Sequence, residues 1–286
     1  MAKKASLIIP TKDKNSRLKL LMLSLNQQVN NDYEVIIVMD GCTQDTVDEF
    51  KVFLERELAF KPIVVIQPRN VGRAAARNIG IQRASGEIVI FIDDDRIPAD
   101  NYIQKHIDAH NAHSEDCVIV GARFEVNFTN NEIIEFYERK TIQNDFNVFI
   151  KDAIEANPGI HNFFSPKLAQ KFRWLYFFTG NVSVSKSLLE KIGGFDENFT
   201  GWGWEDVELG YRLVKENVPF YKNNTILNYH LKHEHDIDYV FQSEKHNYRL
   251  FQKKMKADLI ARCILSIEHL QITIFLSYLK KKANSV

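Results

Sequence analysis

A short apolar run that ends in three aspartates constrains the fold of this chain more than any other feature. Residues 87–95 read EIVIFIDDD, so a buried strand should end abruptly in three carboxylates. Like charges this close repel each other, and a divalent cation or a basic partner has to offset the repulsion. In an open α/β sheet, ligands bind just beyond the carboxyl ends of the strands. The run therefore indicates either a metal site at a sheet edge or a solvated acidic turn.

The first 120 residues alternate short apolar runs with amphipathic patterns, which is typical of a parallel sheet covered by helices. The predicted strands are residues 5–9, 35–39, 63–66, 87–92 and 118–120. Helices are expected after the first three strands and at about 100–113. We therefore assign the chain to the α/β class, with a mostly parallel central sheet flanked by helices.

The later part of the chain is less regular. Residues 121–173 show weak periodicity, and we interpret them as loops and short helices over one edge of the site. Residues 176–184 resemble an interrupted strand, and a short helix is expected at 186–192. A second helix should begin at Glu205 or Asp206. From about residue 236 the pattern is helical and increasingly apolar.

Composition restricts the class of protein. The chain has 37 Lys and Arg residues against 37 Asp and Glu residues, so its net charge of zero gives no electrostatic reason to expect nucleic acid as a partner. Three widely spaced cysteines argue against a disulfide framework, which makes a reducing cytosol the default location. We expect no signal peptide, and no stretch approaches the roughly 20 apolar residues that span a bilayer.

Acidic and basic side chains follow the predicted strands where ligands would bind. Asp40 and Gly41 end the second strand and Asp13 follows the first, so both carboxylates should face one crevice. They can accept hydrogen bonds from a base or from ribose hydroxyls, although an ordinary Asp-Gly turn explains the pair as well. Arg69 and Arg73 flank the start of the next helix, where they suit an anionic ligand.

Two tryptophans and two acids lie together in residues 201–206. Indole faces stack on sugars, and a carboxylate at a helix N-terminus can act as a general base. Trp202, Trp204, Glu205 and Asp206 therefore have the composition of an acceptor site. A capped helix with both tryptophans in the core is the alternative.

Three histidines, His230, His233 and His235, follow in one short segment. A zinc site would more typically add cysteines or a His-Glu-x-x-His helix, and neither is present. One imidazole can instead complete the coordination of a metal bound by the aspartates. We expect only one of the three to be a ligand.

Taken in order, these segments resemble the family-2 glycosyltransferases of the GT-A fold. The matching donor-side pieces are residues 8–13, 40–43, 69–80 and 93–95. Residues 193–197 and 201–206 look like the acceptor-side motif of galactosyl- and N-acetylgalactosaminyl-transferases and of chondroitin-polymerase-like enzymes. The resemblance covers about residues 5–235, and the ordered combination is specific although each piece is short.

The resemblance implies a UDP-sugar donor and a carbohydrate or glycan-lipid acceptor, in cell-surface polysaccharide biosynthesis. The donor-site residues that it implies are Pro10, Thr11, Asp13, Asp40, Arg69, Arg73, Asn78, Asp93 and Asp94. Within this set, Asp13 and Asp40 would hold the uracil and the ribose. The implied domains are residues 1–235, with the nucleotide part at about 1–122 and the acceptor part at about 123–235, and a helical extension at 236–286.

The same resemblance implies a metal site of the DXD type. Asp95 would bind Mn²⁺ or Mg²⁺, with Asp93 and His230 as further ligands. The metal would neutralise the diphosphate leaving group without any proton transfer.

The implied catalytic residues are Asp206 and Glu205. Asp206 would deprotonate the acceptor hydroxyl, which attacks from the face opposite the UDP and inverts the anomeric centre. Glu205, Trp202 and Trp204 would position the acceptor sugar. A retaining N-acetylgalactosaminyl-type transferase, which shares a Trp-Gly-rich acidic loop, is the alternative.

Two functions of other classes are weaker matches. A sugar-nucleotide nucleotidyltransferase would show a Gly-rich phosphate loop after the first strand, and residues 11–17 contain no glycine. A non-catalytic sugar-binding protein would not need both acidic clusters. The apolar segment at 257–282 lies outside the resemblance and can dock on the domain, form a dimer, or lie on the inner face of a membrane as a peripheral contact.

Overall fold

Helices cover both faces of one mixed sheet. A computed structural model describes residues 4–26, 28, 32–126, 131–132, 135, 154–155, 171–232 and 236–283. The strands are β1 (Ala5–Thr11), β2 (Tyr33–Asp40), β3 (Ile63–Gln67), β4 (Ile88–Phe91), β5 (Arg96–Pro98), β6 (Val118–Val126), β7 (Ile154–Glu155), β8 (Val182–Ser185) and β9 (Phe220–Leu231). The helices are α1 (Asn15–Leu25), α2 (Gln44–Glu57), α3 (Arg73–Arg83), α4 (Tyr102–Asn111), α5 (Lys186–Ile192), α6 (Glu205–Lys215), α7 (Ile237–Lys254) and α8 (Leu259–Ala283), and a 3₁₀ helix covers Arg173–Tyr176.

The strand order brings the acidic triplet and the last strands together. In the described part of the chain the order is β3-β2-β1-β4-β8-β6-β9-β5, and β7 pairs with β6 beside this path. The strands β1 to β4 pair in parallel, whereas β8 is antiparallel to both β4 and β6. In a flat sheet β4 and β5 would lie about 19 Å apart, but the chain from Phe91 to Arg96 can span at most about 17 Å. The sheet therefore curls, and β5 and β9 return towards the carboxyl end of β4.

Alternating side chains of β1 show why the sheet is covered on both faces. Leu7 and Ile9 join the core that α1, α2 and α4 cover, and Ile8 joins the core under α3, α5 and α6. All three side chains are fully buried, as expected of a central strand that reads as a continuous apolar run. The predicted α/β class, with a sheet flanked by helices, is confirmed.

Tertiary pairing overrides local propensity in the curled half of the sheet. We did not predict β9, because its Asn223, Asn224 and Thr225 are residues typical of turns. It is nevertheless paired on both sides, parallel to β6 and antiparallel to β5. Conversely, the strand expected at 176–184 is limited to β8, because residues 176–178 end the 3₁₀ helix and enter a turn.

Some expectations concern residues outside the described part of the chain. Most of the segment 121–173, which we interpreted as loops and short helices, is in this category, and so are His233 and His235. Within that segment the strand predicted at 118–120 continues to Val126. The proposed division of the chain at residues 122 and 235 stays a prediction.

Replacing Gly41 by alanine should destabilise the fold strongly. Gly41 has a φ of +67°, and an added Cβ would lie 2.2 Å from the backbone nitrogen of Asn70. Gly193 is a matched control, because its φ is +82° but nothing lies within 4 Å of the added Cβ. We expect the free energy of unfolding, measured by urea denaturation, to fall by about 1 kcal/mol for Gly193→Ala and by roughly 3 kcal/mol or more for Gly41→Ala. Equal losses in the two variants would contradict the close approach of Gly41, after β2, to Asn70, before α3.

One side of α8 packs on the rest of the chain. Ala261 and Leu265 are buried in a core shared with α6 and α7, and the ring of His269 stacks on Tyr248 with centroids 3.7 Å apart. The opposite side exposes large apolar residues, namely Leu259, Ile260, Ile267, Leu270 and Ile274. Docking of this segment on the domain is thus observed, while dimerisation and membrane contact stay predictions. Among the described helices, none combines the length and the apolar character needed to cross a membrane.

Candidate active site

The three aspartates after β4 lie in a tight turn into β5, and the first of them is held by two arginines. Asp93 Oδ1 accepts a hydrogen bond from Arg77 Nη2 at 2.9 Å, and Asp93 Oδ2 lies 3.6 Å from Arg96 Nε. Burial opposes ionisation, but the two guanidinium groups outweigh it and lower the pKa of Asp93. Asp93 is therefore an ionised carboxylate at neutral pH.

The second and third aspartates share an ammonium group. Lys14 Nζ lies 2.9 Å from Asp95 Oδ2 and 3.4 Å from Asp94 Oδ1, and Thr11 Oγ1 donates a hydrogen bond to Asp94 Oδ2 at 2.7 Å. Burial raises the pKa of Asp94 to about 6, although Lys14 acts in the opposite direction. Lys14 thus supplies part of the positive charge that three neighbouring carboxylates require.

Asp95 also lies beside His230, the predicted third metal ligand. His230 Nε2 is 3.6 Å from Asp95 Oδ1, and His230 Nδ1 is 2.8 Å from Glu125 Oε2. Although burial opposes it, these two carboxylates raise the pKa of His230. Glu125 holds the ring orientation through Nδ1, and a metal bound at Nε2 would displace the proton that Asp95 otherwise stabilises there. The arrangement therefore fits a cation between Asp95 and His230.

The structure brings together two of the three predicted metal ligands. Asp95 and His230 face each other, whereas Asp93 is turned towards Arg77 and Arg96. Across the described residues, no group of three His, Cys, Asp or Glu side chains is arranged to hold a metal ion. A carboxylate oxygen and an imidazole nitrogen still suit Mn²⁺, which would take its other ligands from phosphates and water.

Arg77 joins the acidic triplet to the two acids that begin α6. Its Nη1 donates to Glu205 Oε1 at 2.9 Å while Nη2 binds Asp93, and the residue is only 2% exposed. The carboxylates of Asp93 and Glu205 therefore lie on either side of the Arg77 guanidinium group. Burial, together with the adjacent Glu205, raises the pKa of Asp206 to about 7. A carboxyl group that titrates near neutral pH is suited to general-base catalysis.

The two tryptophans before α6 differ in exposure. Trp204 is buried beside Tyr248 and Phe251, and its Nε1 donates to Glu244 at 2.9 Å. Trp204 is therefore a core residue, as in the alternative stated above, and offers no exposed face for an acceptor sugar. Trp202 is partly exposed, and its contact with the acceptor stays a prediction.

The turns after β1, β2 and β3 meet, as the sequence predicts. Asp13 Oδ1 accepts a hydrogen bond from the backbone nitrogen of Thr43 at 2.9 Å. The buried carboxylate of Asp40 accepts from the backbone nitrogens of Val71 at 2.6 Å and Gly72 at 3.0 Å. Asp40 thus holds the turn that leads into α3. The contacts of Asp13 and Asp40 with a nucleoside stay predictions.

The other predicted donor-site residues lie around the same turns. Pro10 is in β1, and Arg69 and Arg73 are exposed at the entrance to α3. The Asn78 carboxamide donates to the backbone oxygen of Phe195 at 2.9 Å and accepts from its backbone nitrogen at 2.8 Å. Asn78 therefore links α3 to the loop before α6. The same side-chain amide is the group that we expected to contact the nucleotide-sugar donor.

Sequence reasoning gave no role to Lys14, Glu125 and Arg123, and it interpreted Arg77 only as a guanidinium near a helix N-terminus that suits an anionic ligand. Lys14 and Arg77 neutralise the aspartates, Glu125 orients His230, and Arg123 lies on the same strand as Glu125. The signal for Arg77 is a charge placed within an alanine-rich helix face. The residues of β6 gave no signal, because that strand was predicted to end before them.

Comparisons with known proteins agree with this geometry. Residues 6–190 match the family model described as "Glycosyl transferase family 2". Residues 161–236 match the model described as "N-terminal domain of galactosyltransferase". Validoxylamine A glucosyltransferase of Streptomyces hygroscopicus subsp. limoneus is 29% identical over 230 residues, which are 75% of this chain and 48% of that protein. Chondroitin synthase of Escherichia coli is 29% identical over 244 residues, which are 79% of this chain and 34% of that protein.

Solved structures of S. aureus TarS share the fold. One aligns with a TM-score of 0.59 at 19% identity, covering 93% of this chain and 43% of that chain. A TarS 1-349 structure in complex with UDP-GlcNAc aligns with a TM-score of 0.57 at 17% identity, covering 92% of this chain and 69% of that one. The predicted GT-A fold is confirmed. The chain spans about half or less of the length of the two curated relatives described above.

Proposed function

Because this chain belongs to glycosyl transferase family 2, we propose that it transfers a hexose or an N-acetylhexosamine from a UDP-sugar to a carbohydrate or glycan-lipid acceptor. The chain is a glycosyltransferase by its family; the donor, the acceptor, the metal and the stereochemistry are the proposal. The reaction is metal-dependent, inverts the anomeric configuration and serves cell-surface polysaccharide assembly. It takes place in the cytoplasm or at the inner face of the membrane.

The donor is assigned to the crevice at the carboxyl ends of β1, β2 and β4. Asp13 and Asp40 lie in neighbouring turns there, and Arg69 and Arg73 are exposed at its rim. Ligands of α/β sheets bind at such strand ends. The fold also matches that of a protein solved with UDP-GlcNAc, which supports a nucleotide sugar as the ligand.

Asp95 and His230 are the residues that would hold Mn²⁺ or Mg²⁺. Glu125 orients the imidazole, and Lys14 lies 2.9 Å from Asp95 and adds positive charge on the side of the diphosphate. A metal bound there would supply Lewis-acid stabilisation of the diphosphate leaving group.

Asp206 is assigned as the general base that takes the proton of the attacking hydroxyl. With a pKa near 7 it is available as a carboxylate at neutral pH and still binds a proton readily. Arg77 holds the neighbouring Glu205 and so fixes the start of α6 relative to the donor side. Attack from the face opposite the UDP then inverts the anomeric centre.

The observation that carries the proposal is the Asp93–Arg77–Glu205 bridge, because it joins the donor-side acids to the acceptor-side acids. The test is a panel of UDP-, GDP- and dTDP-sugars, each assayed for hydrolysis and thermal stabilisation with Mn²⁺, Mg²⁺ or EDTA. We expect hydrolysis of a UDP-sugar that requires the metal. Hydrolysis of only the other donors, or equal rates with EDTA, would contradict the proposal. The anomeric configuration of the product separates an inverting from a retaining enzyme.

Replacing Asp95 by alanine should remove metal-dependent turnover. We expect UDP-sugar hydrolysis to fall by about 100-fold or more and Mn²⁺ binding to weaken at least about tenfold, because one of the two protein ligands is lost. Titration of Mn²⁺ followed by electron paramagnetic resonance measures the binding. Asp48→Ala, at an exposed position of α2, is the matched control and should change neither value. Unchanged Mn²⁺ affinity in Asp95→Ala would show that the metal binds elsewhere.

A further inference from the structure

Arg123 is a charged residue of the site that the reaction described above does not use. It lies in β6 opposite Asn228 of β9, two residue pairs along the ladder from the pair formed by Glu125 and His230. Because side chains alternate along a strand, Arg123 and Glu125 project from the same face of β6. Arg123 therefore points to the side of the sheet on which His230 meets Asp95.

Within the described chain, the guanidinium of Arg123 contacts an aromatic ring and not a carboxylate. Its Cζ atom lies 4.0 Å from the centroid of the Phe178 ring, and it makes no ion pair or hydrogen bond with any described residue. The two neighbouring arginines differ from it in this respect, since Arg77 binds Asp93 and Glu205, and Arg96 lies beside Asp93 and donates to Asn228. A stacked guanidinium with its hydrogen-bond donors unused is pre-organised for a ligand.

Arg123 lies within electrostatic range of acids on both the donor side and the acceptor side of the site. Burial, with a smaller effect of Arg96, lowers the pKa of Arg123 to about 10, so it remains a cation at neutral pH. Of the nearby carboxylates, Asp206 has the largest effect on this pKa, ahead of Glu125 and Asp93. None of these carboxylates is in direct contact with the guanidinium, so its hydrogen-bond donors are left for a bound anion, which would offset the cost of burying the charge.

We propose that Arg123 binds an anionic group of the acceptor, a carboxylate or a phosphate, close to the hydroxyl that Asp206 deprotonates. The planar guanidinium matches either group through two parallel hydrogen bonds. Phe178 holds the plane of the guanidinium, so little side-chain freedom is lost on binding. This inference rests on the proposed function and narrows it: the acceptor is a uronic acid glycan or a phosphate-containing chain rather than a neutral sugar.

The test compares acceptor fragments that differ only in charge, by calorimetric titration of the full chain saturated with UDP and Mn²⁺. One pair is methyl β-glucuronide and methyl β-glucoside, and the other is glycerol phosphate and glycerol. We expect the anionic member of one pair to bind about 10–100-fold more tightly than its neutral partner, and the pair that responds identifies the source of the anion. Equal affinities within both pairs would overturn the proposal.

Variants connect the preference to Arg123. In Arg123→Gln the preference should fall to within about twofold, and Phe178→Leu, which keeps the charge but removes the stacking surface, should reduce it in part. Arg83→Gln, at an exposed position of α3, is the matched control and should keep the full preference. A preference that survives in Arg123→Gln, or the same loss in Arg83→Gln, would contradict the assignment.

Two further measurements separate Arg123 from a donor-binding or structural role. UDP affinity should stay within about threefold in Arg123→Gln, whereas a tenfold loss would mean that Arg123 binds the diphosphate, which overturns the acceptor assignment. The free energy of unfolding of Arg123→Gln should fall by no more than about 1 kcal/mol, because only the contact with Phe178 is lost and no ion pair is broken. Hydrolysis of the UDP-sugar without acceptor tests the proposed function by itself, so its failure is distinguishable from the failure of this inference.

Discussion

Asp206→Asn should lower the rate of sugar transfer by about 10²–10⁴-fold while UDP affinity stays within a few-fold. The amide has nearly the same size and cannot accept the proton of the acceptor hydroxyl. Arg77 and Glu205 remain paired in the variant, so the donor side keeps its geometry. Steady-state rates with a UDP-sugar, together with calorimetric UDP binding, measure the two effects. Full activity of Asp206→Asn would show that another group takes the proton.

The pH dependence of the rate gives a second readout of Asp206. Its pKa is raised to about 7 by burial and by Glu205, so the carboxylate form that acts as base is lost as the pH falls below that value. Transfer by the unmodified chain should therefore rise with pH through about 7 and then level off. A rate that does not change between about pH 5 and pH 8 would contradict this assignment.

Stability measurements distinguish loss of the base from loss of the fold. A carboxyl group whose pKa is raised on folding stabilises the chain at low pH, and this contribution disappears as the pH rises through the raised value. Asparagine is neutral at every pH. Asp206→Asn should therefore unfold at a higher temperature than the unmodified chain at about pH 8, and at a similar temperature at about pH 4. A less stable variant at the higher pH would contradict the shifted pKa.

Arg77→Met should lower the free energy of unfolding by about 3–5 kcal/mol. The methionine fills much of the volume but leaves Asp93 and Glu205 without the cation that lies between them. Urea denaturation at neutral pH measures the loss. Arg83→Met, an exposed arginine of the same helix, is the matched control and should change stability by no more than about 0.5 kcal/mol.

The loss in Arg77→Met should depend on pH in a defined direction. Ionised Asp93 is stabilised by Arg77 in the folded chain, so this contribution is present above the ordinary pKa of an aspartate and is lost as the pH falls through the lowered value. The difference between Arg77→Met and the unmodified chain should therefore shrink below about pH 4. A loss of less than about 1 kcal/mol at neutral pH would mean that the bridge does not form in solution.

The donor half of the fold was predictable because its signals are local. β1 to β4 are apolar runs separated by amphipathic helices, and parallel strands place the residues that follow them at one edge of the sheet. The meeting of Asp13 with Thr43, and of Asp40 with the turn at residues 71–72, follows from that topology. The family motifs pointed to the same edge, and the comparisons confirm the family and the fold.

The curled half was not predictable from local pattern. β9 contains polar residues that favour turns, and only its pairing with β6 and β5 makes it a strand. Without β9 and the full length of β6, neither the Glu125–His230 contact nor the position of Arg123 can be deduced. The burial of Trp204 likewise depends on α7, which supplies Glu244 and covers the indole. Long-range packing decides these positions, and the sequence near each residue does not report it.

Anomalous diffraction at the manganese edge, from crystals grown with Mn²⁺ and UDP, would locate the ion relative to the base. We expect one strong peak beside Asp95 and His230, with the carboxyl group of Asp206 opening onto the same cleft, no further from the diphosphate than one sugar ring. A peak remote from Asp95, or an Asp206 that faces a separate cavity, would contradict a single site for donor activation and proton removal.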